Sequence, residues 1–279
     1  MKIIIHVSGE LRTYKKDDNM LDNFVKFLMY HGCEVTVVGH TWDHCFEDTH
    51  LDLLNDFDIF DDLIIEDQKV IDEWIMEDLY NRRIILVNGE DSPPIKNIQQ
   101  LRNHATRQSG KLLGQVWSGF SSFEHFGPKH PEVDFHFRWR WDGTFNIKES
   151  QFDSQMSYYV FRQIIRCHND RMNEPYIFTG NMGTLWKNVY PFSGLLMYTG
   201  TVEDKFFALN RLAMKKILEI PFRNRLHDTL SPHVQTKTAT PSAHSLWWDV
   251  LTRKSDIPFE IRFDTYVHFG ILNQKDTIE

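Results

Sequence analysis

Cysteine is scarce in this chain. There are three in 279 residues, Cys33, Cys45 and Cys167. The number is odd, and neither a CxxC pair nor zinc-type spacing occurs. A disulfide framework is therefore excluded, and reduced thiols in a cytoplasmic protein are expected. Long hydrophobic runs are missing too: no stretch reaches the ~18 apolar residues that a membrane span needs. The opening MKIIIHVSGE has an apolar run too short for a signal peptide and no small-residue cleavage site, and reads as a first strand. There is no internal repeat and no low-complexity segment. Nucleotide fingerprints are absent as well. No G-x-G-x-x-G occurs, and Lys111 follows Ser109-Gly110 without the rest of a phosphate loop. No H-E-x-x-H exists. His40 and His44, or His125, His130 and His136, suggest no fourth ligand for a structural zinc.

What is present is apolar and aromatic. Residues of those kinds make up 41% and 14% of the chain, enough for a substantial core in one large domain or two closely packed ones. Charge is segregated. Residues 43–80 hold fourteen acids and one base, Lys69; that segment is −13, so with a net charge of −8 the remainder is +5. The acidic segment reads as solvated surface.

Residues 2–7 form a β-branched run ending at Ser8-Gly9. Residues 20–31 have helical spacing and stop at Gly32, and 34–38 are again strand-like. Strand–helix–strand alternation implies a parallel pair with a right-handed crossover. Further strands are expected within 59–66 and 84–87, and helices around 70–80, 97–125, 156–168, 204–220 and 242–253. Short strands and turns are expected over 176–200, with two closing strands near the end. The class is α/β.

Two stretches carry chemistry. In HVSGELRTY a strand ends at Ser8-Gly9, where an open α/β sheet binds ligands. Glycine permits close approach there, and Arg12 offers a fork of donors suited to phosphate; the alternative is a plain turn with a surface arginine. In FHFRWRWDGTF, residues 135–145, rings alternate with charges. Arg138, Arg140 and Asp142 share one face of a strand. Such charges are costly to bury. They read either as an internal Arg–Asp pair or as a site for a diphosphate, with Asp142 on a divalent cation and Gly143 allowing close approach.

The order SGELRTY, HTWDHC, FRWRWDGTF, EDKFFALNRLAMKKI resembles a group of bacterial and phage glycosyltransferase-like proteins, including phage enzymes that glycosylate hydroxymethylcytosine in DNA, such as arabinosyltransferases. The resemblance covers roughly residues 3–218 through short motifs. It implies a GT-A-like, Rossmann-related mixed sheet flanked by helices in a single compact domain. Residues 1–145 would form the nucleotide-sugar half and 146–279 the acceptor-side half. On that view Ser8, Gly9, Arg12, Thr41, Arg138 and Arg140 meet the nucleotide-sugar donor. Asp142 takes the place of the metal-binding acid, for Mn2+ or Mg2+. Position 140 is Arg where the Asp-x-Asp motif has an acid, so an arginine would neutralise the leaving diphosphate instead.

A general base is sought among Glu203, Asp204 and Asp249. Thr201 to Asp204 also matches a helix-capping pattern, and Asp249 follows Trp247-Trp248, rings suited to a core or to a sugar platform. Six bases and one acid over 205–225 read as a solvated helix face or a phosphate-following patch. The acceptors expected are a modified cytosine in duplex DNA or a surface polysaccharide. Two rivals remain: a metal-dependent nuclease built on Asp61, Asp62, Asp67 and Lys69, and a nucleotide-sugar-binding module without turnover.

Overall fold

The described strands of the first hundred and forty residues are laid down on both sides of one central strand. In this computed structural model the described residues are 1–9, 20–43, 59–74, 77, 109–141, 143–180, 206–226, 247, 251, 257, 259–263 and 269–271. Strand β1 (Lys2–Ser8) is buried from Ile3 onward on both faces, as a β-branched central strand should be. Helix α1 (Met20–Tyr30) buries Leu21, Phe24, Val25, Phe27 and Leu28. It ends in a Schellman motif: the Cys33 N–H donates to Leu28 O, the Gly32 N–H donates to Met29 O, and Gly32 has φ 81°. Strand β2 (Glu34–Trp42) then runs parallel to β1.

Strand β3 (Asp62–Glu66) extends the sheet beyond β2, and α2 (Gln68–Trp74) and α3 (Ser109–Phe126) follow. Strand β4 (Phe135–Arg140) pairs with β1 on its other side, also parallel. Next come β5 (Gly143–Phe145), α4 (Gln155–Arg171), β6 (Ile177–Gly180), β7 (Phe206–Asn210), α5 (Arg211–Leu218), β8 (Phe259–Phe263) and β9 (Phe269–Ile271). The main sheet has seven strands in the order β3-β2-β1-β4-β7-β6-β8; β5 and β9 form a separate pair. Strand β7 is antiparallel to both neighbours, so the sheet is mixed. It carries strands from both halves of the chain.

The two faces differ. Under α1 lie Ile3, Ile5, Val7, Phe135, Phe137 and Trp139, packed with Phe24 and Phe27. Under α3 and α5 lie Ile177, Phe207 and Leu209 with Phe120, Phe123 and Met214, but also His6, His136 and Arg138, all buried. The ring–charge alternation of β4 thus separates two interiors, an apolar one and a polar one, rather than interior from water. Cys33 is a buried free thiol, pushed up to about 11 by burial.

Three expectations need correction. Residues 204–220 are not one helix: Phe206, Phe207, Ala208 and Leu209 form β7, buried on both faces. A short continuous apolar run has no period that separates strand from helix. The helix starts at Arg211, and its N-cap is Asn210, whose Oδ1 accepts from the Ala213 N–H at 2.9 Å. Capping by the Thr201–Asp204 segment therefore does not apply. The 135–145 stretch is also broken. Strand β4 ends at Arg140, and Gly143–Phe145 pairs with β9. Gly143 is required by the Trp139 indole, which a Cβ would meet at 2.7 Å. The expected strand at 84–87 and most of the expected 242–253 helix lie outside the described residues.

One helix offers a test of packing. A Cβ on Gly119 would sit 2.6 Å from the rigid Trp247 ring, whereas one on Gly114 meets nothing within 4 Å. Gly119→Ala is expected to destabilise the protein by about 1–3 kcal/mol. Gly114→Ala in the same helix should stabilise it by about 0.5–1 kcal/mol. Denaturant midpoints of the two variants check the opposite signs.

Candidate functional site

Right-handed crossovers running opposite ways from β1 put α1 on one face and α3 on the other. The strand order therefore reverses between β1 and β4. Open α/β sheets bind ligands beyond the carboxyl ends of two such strands. Ser8 ends β1 in register with His40 of β2 and Arg140 of β4. Gly9 follows at φ 119°, a conformation that L side chains rarely adopt. The structure thus brings Ser8, Gly9 and Arg140 together, and Arg140 is half-buried at its strand end. The Ser8 Oγ is buried with no hydrogen-bond partner among the described residues.

Arg138 lies one pleat deeper, in register with His6. It is wholly buried, and its guanidinium stands 5.6 Å from the centre of the Trp247 ring. Trp247 itself is core, stacked on Phe120 at 5.3 Å. Thr41 is buried on β2, but alternation turns it to the α1 face, away from His40. Arg12, Asp142, Glu203, Asp204 and Asp249 lie outside the described residues.

Between the strand ends and α3 runs a polar layer that the sequence reading missed. The Gly9 N–H donates to Ser118 Oγ at 2.8 Å. The same oxygen lies 2.7 Å from His40 Nδ1. His40 Nε2 is 2.9 Å from Glu66 Oε2, which also accepts from Trp117 Nε1 at 3.0 Å and Ser121 Oγ at 3.1 Å. Burial acts to raise the Glu66 carboxyl, but hydrogen bonds from His40, the indole and the hydroxyl outweigh it and hold the group below the usual carboxylate range. Facing an ionised Glu66, the neutral imidazole carries its proton on Nε2, and its Nδ1 then accepts the Ser118 hydroxyl proton. Deeper in the same layer, His6 Nδ1 is 2.8 Å from Ser122 Oγ and His6 Nε2 is 3.1 Å from His136 Nδ1. The available signal was the serine stripe of α3, Ser118, Ser121 and Ser122.

The nuclease carboxylates are otherwise employed. Asp61 accepts from the Val37 N–H at 2.7 Å. Asp67 accepts from the Lys69 N–H at the start of α2, at 2.8 Å. Asp62 faces Lys129 at 3.6 Å. Among the described residues no three His, Cys, Asp or Glu side chains are grouped to hold a metal ion. The basic stretch is also thinner than its composition suggests. Arg225 is buried and donates to the carbonyls of Lys216, Ile217 and Ile220 at the end of α5. Arg211, Lys215 and Arg223 are exposed.

No family model and no curated protein matches the sequence. Among solved structures, the chain is similar to the crystal structure of mouse xyloside xylosyltransferase 1 in its apo form, at 9% identity and a TM-score of 0.43, over 94% of this chain and 85% of that one. A likeness of that strength decides nothing about chemistry.

The histidine pair sets a pH dependence. Burial, and then the charges of His136 and His130, hold His6 well below its usual range; burial and His130 bring His136 to about 3. Both rings are neutral in the folded protein, whereas unfolded histidines take up protons below about 6.5. Stability is therefore full above that value and falls as pH drops towards 5, by up to about 1.4 kcal/mol per pH unit for each ring. Urea midpoints between pH 7 and 5 should show this slope, and His136→Gln should reduce it by about half.

Proposed function

We propose that the chain is a nucleotide-sugar-dependent glycosyltransferase with a GT-A-like sheet, and that the donor's diphosphate lies in the crevice beyond β1 and β4. The observation that carries the reading is the register of Ser8 with Arg140 across the switch point, with Gly9 at positive φ immediately after. A glycine turn lets the backbone approach an anion. A guanidinium at the facing strand end supplies charge and a bidentate fork. Transfer of the sugar breaks its bond to the diphosphate, and Arg140 stabilises the charge that develops on the departing oxygen. Asp204 or Asp249 would accept the acceptor hydroxyl's proton, with Glu203 as the third candidate.

The resemblance also places Mn2+ or Mg2+ on Asp142. The residue two before it is Arg140, not a second acid, and Asp142 itself lies outside the described residues. No step is assigned to a metal, and charge neutralisation falls to Arg140. The acceptor in this reading is a hydroxymethylated cytosine in duplex DNA, receiving arabinose or glucose. Arg211, Lys215 and Arg223 are the exposed bases that would meet phosphates. Among the described residues no helix is long and apolar enough to cross a membrane.

Thermal midpoints with UDP-, GDP-, ADP- and CMP-sugars test the donor. A ligand at a hundredfold excess over its Kd adds about 2.7 kcal/mol of stability. Transfer from the binding donor is then measured onto hydroxymethylcytosine DNA and onto lipopolysaccharide core. Binding without transfer to either would favour the non-catalytic module. Arg140→Ala should weaken donor binding about 10–100-fold with the fold intact, because a charged hydrogen bond is lost. Arg140→Lys should recover only part of that loss. Equal donor affinity in Arg140→Ala, or no wild-type response to any nucleotide sugar, would sink the reading.

A further inference from the structure

Glu66, His40 and Ser118 have the residue types of a hydrolytic triad, yet they are arranged for something else. Ser118 is wholly buried inside α3, and its oxygen already accepts the Gly9 N–H. His40, also wholly buried, meets that oxygen through Nδ1 and the carboxylate through Nε2. A serine so enclosed cannot reach a substrate as a nucleophile. What the line of hydrogen bonds does reach is the first peptide of the turn at the switch point.

That peptide needs a restraint. Glycine loses more conformational freedom on ordering than any other residue. Packing of the described residues does not supply the restraint here, since a Cβ on Gly9 would meet none of their atoms within 4 Å. The hydrogen bond from the Gly9 N–H to Ser118 does. The Ser118 oxygen is oriented in turn, because its proton is committed to His40 Nδ1. The His40 ring is oriented by Glu66 and packs edge-on against Trp42, with ring centres 5.1 Å apart. Glu66 is locked by three donors from two elements. Each proton in the line has one place.

We infer that His40, acting through Ser118, is a positioning residue: it fixes the Gly9 peptide plane and so holds the turn after β1 in shape for an anionic donor. This role rests on the donor-site reading above. It also assigns the Gly9 N–H to the scaffold rather than to the ligand, so the diphosphate contacts must come from Arg140 and from later groups of the turn.

Two substitutions separate the two ends of the imidazole. Asparagine places Oδ1 near the position of Nδ1 and can still accept from Ser118; glutamine reaches Glu66 instead and offers nothing at Nδ1. Hydrogen exchange of the Gly9 amide in the free protein is the first readout. Dissociation constants for UDP-, GDP-, ADP- and CMP-sugars are the second. His40→Gln and Ser118→Ala are expected to speed Gly9 exchange and weaken nucleotide-sugar binding about tenfold. His40→Asn is expected to retain most of both. If Ser118→Ala fails to fold, the His40→Gln and His40→Asn pair carries the test. Wild-type binding that persists undiminished in a folded His40→Gln, or Gly9 exchange that does not respond, overturns the inference while leaving the donor site standing. Absence of wild-type binding to every nucleotide sugar overturns the donor site itself, and this role with it.

Discussion

A buried polar layer, cross-linked by hydrogen bonds, holds the carboxyl end of this sheet against α3. His6, His40, Ser118, Ser122 and His136 lie between the sheet and α3, away from water. In such surroundings a hydrogen bond is strong and an unmade one is expensive. The layer therefore tolerates few alternatives. The imidazoles must be neutral or matched, the serines must face the strands, and Gly119 must be bare so that Trp247 can close over the top. Gly9 takes its place through Ser118, and the shape of the crevice follows from that.

The opposite face works by different physics. Phe24 meets Phe27, Phe137, Trp139, Phe145 and Phe206 with ring centres between 5.0 and 6.2 Å apart. Close-packed rings of this kind resist volume change in either direction. This aromatic interior anchors β1 and β4 side by side and also holds β5, whose Phe145 reaches the same cluster. The rigid apolar face fixes where the strands end; the polar face determines what their ends present.

Much of the first face was legible in the sequence, and much of the second was not. The opening strand, α1 and β2 announce themselves through β-branched runs, a 3.6-residue period and Gly32 as a stop. Ser8-Gly9 could be placed at a strand end for the same reason. Strand β7 could not be recognised, because Phe206 to Leu209 is apolar on both faces and lies directly against a helix. The polar layer was hidden by distance: Glu66 and His40 are 26 positions apart, His40 and Ser118 are 78 apart, and His6 and His136 are 130 apart. No local period encodes such pairs. Searching the histidines for metal spacing compared the wrong neighbours, since their partners are serines on a helix and a carboxylate on another strand.

The two arginines of β4 show how one pleat divides structure from chemistry. Both point to the α3 face, and their backbones differ by two residues. Arg138 is sealed beneath Trp247, where its cation meets an indole face and its desolvation is already complete. Any ligand that met it would first have to displace core. Arg140 stands at the strand end and is half-buried, so its guanidinium keeps part of its hydration. Partial burial is the setting in which the proposed anion contact would act. It lowers the local dielectric without the full cost of enclosing a guanidinium. In the strand order β3 lies on the far side of β2, so its acids Asp62 and Glu66 stand strands away from the cation at β4.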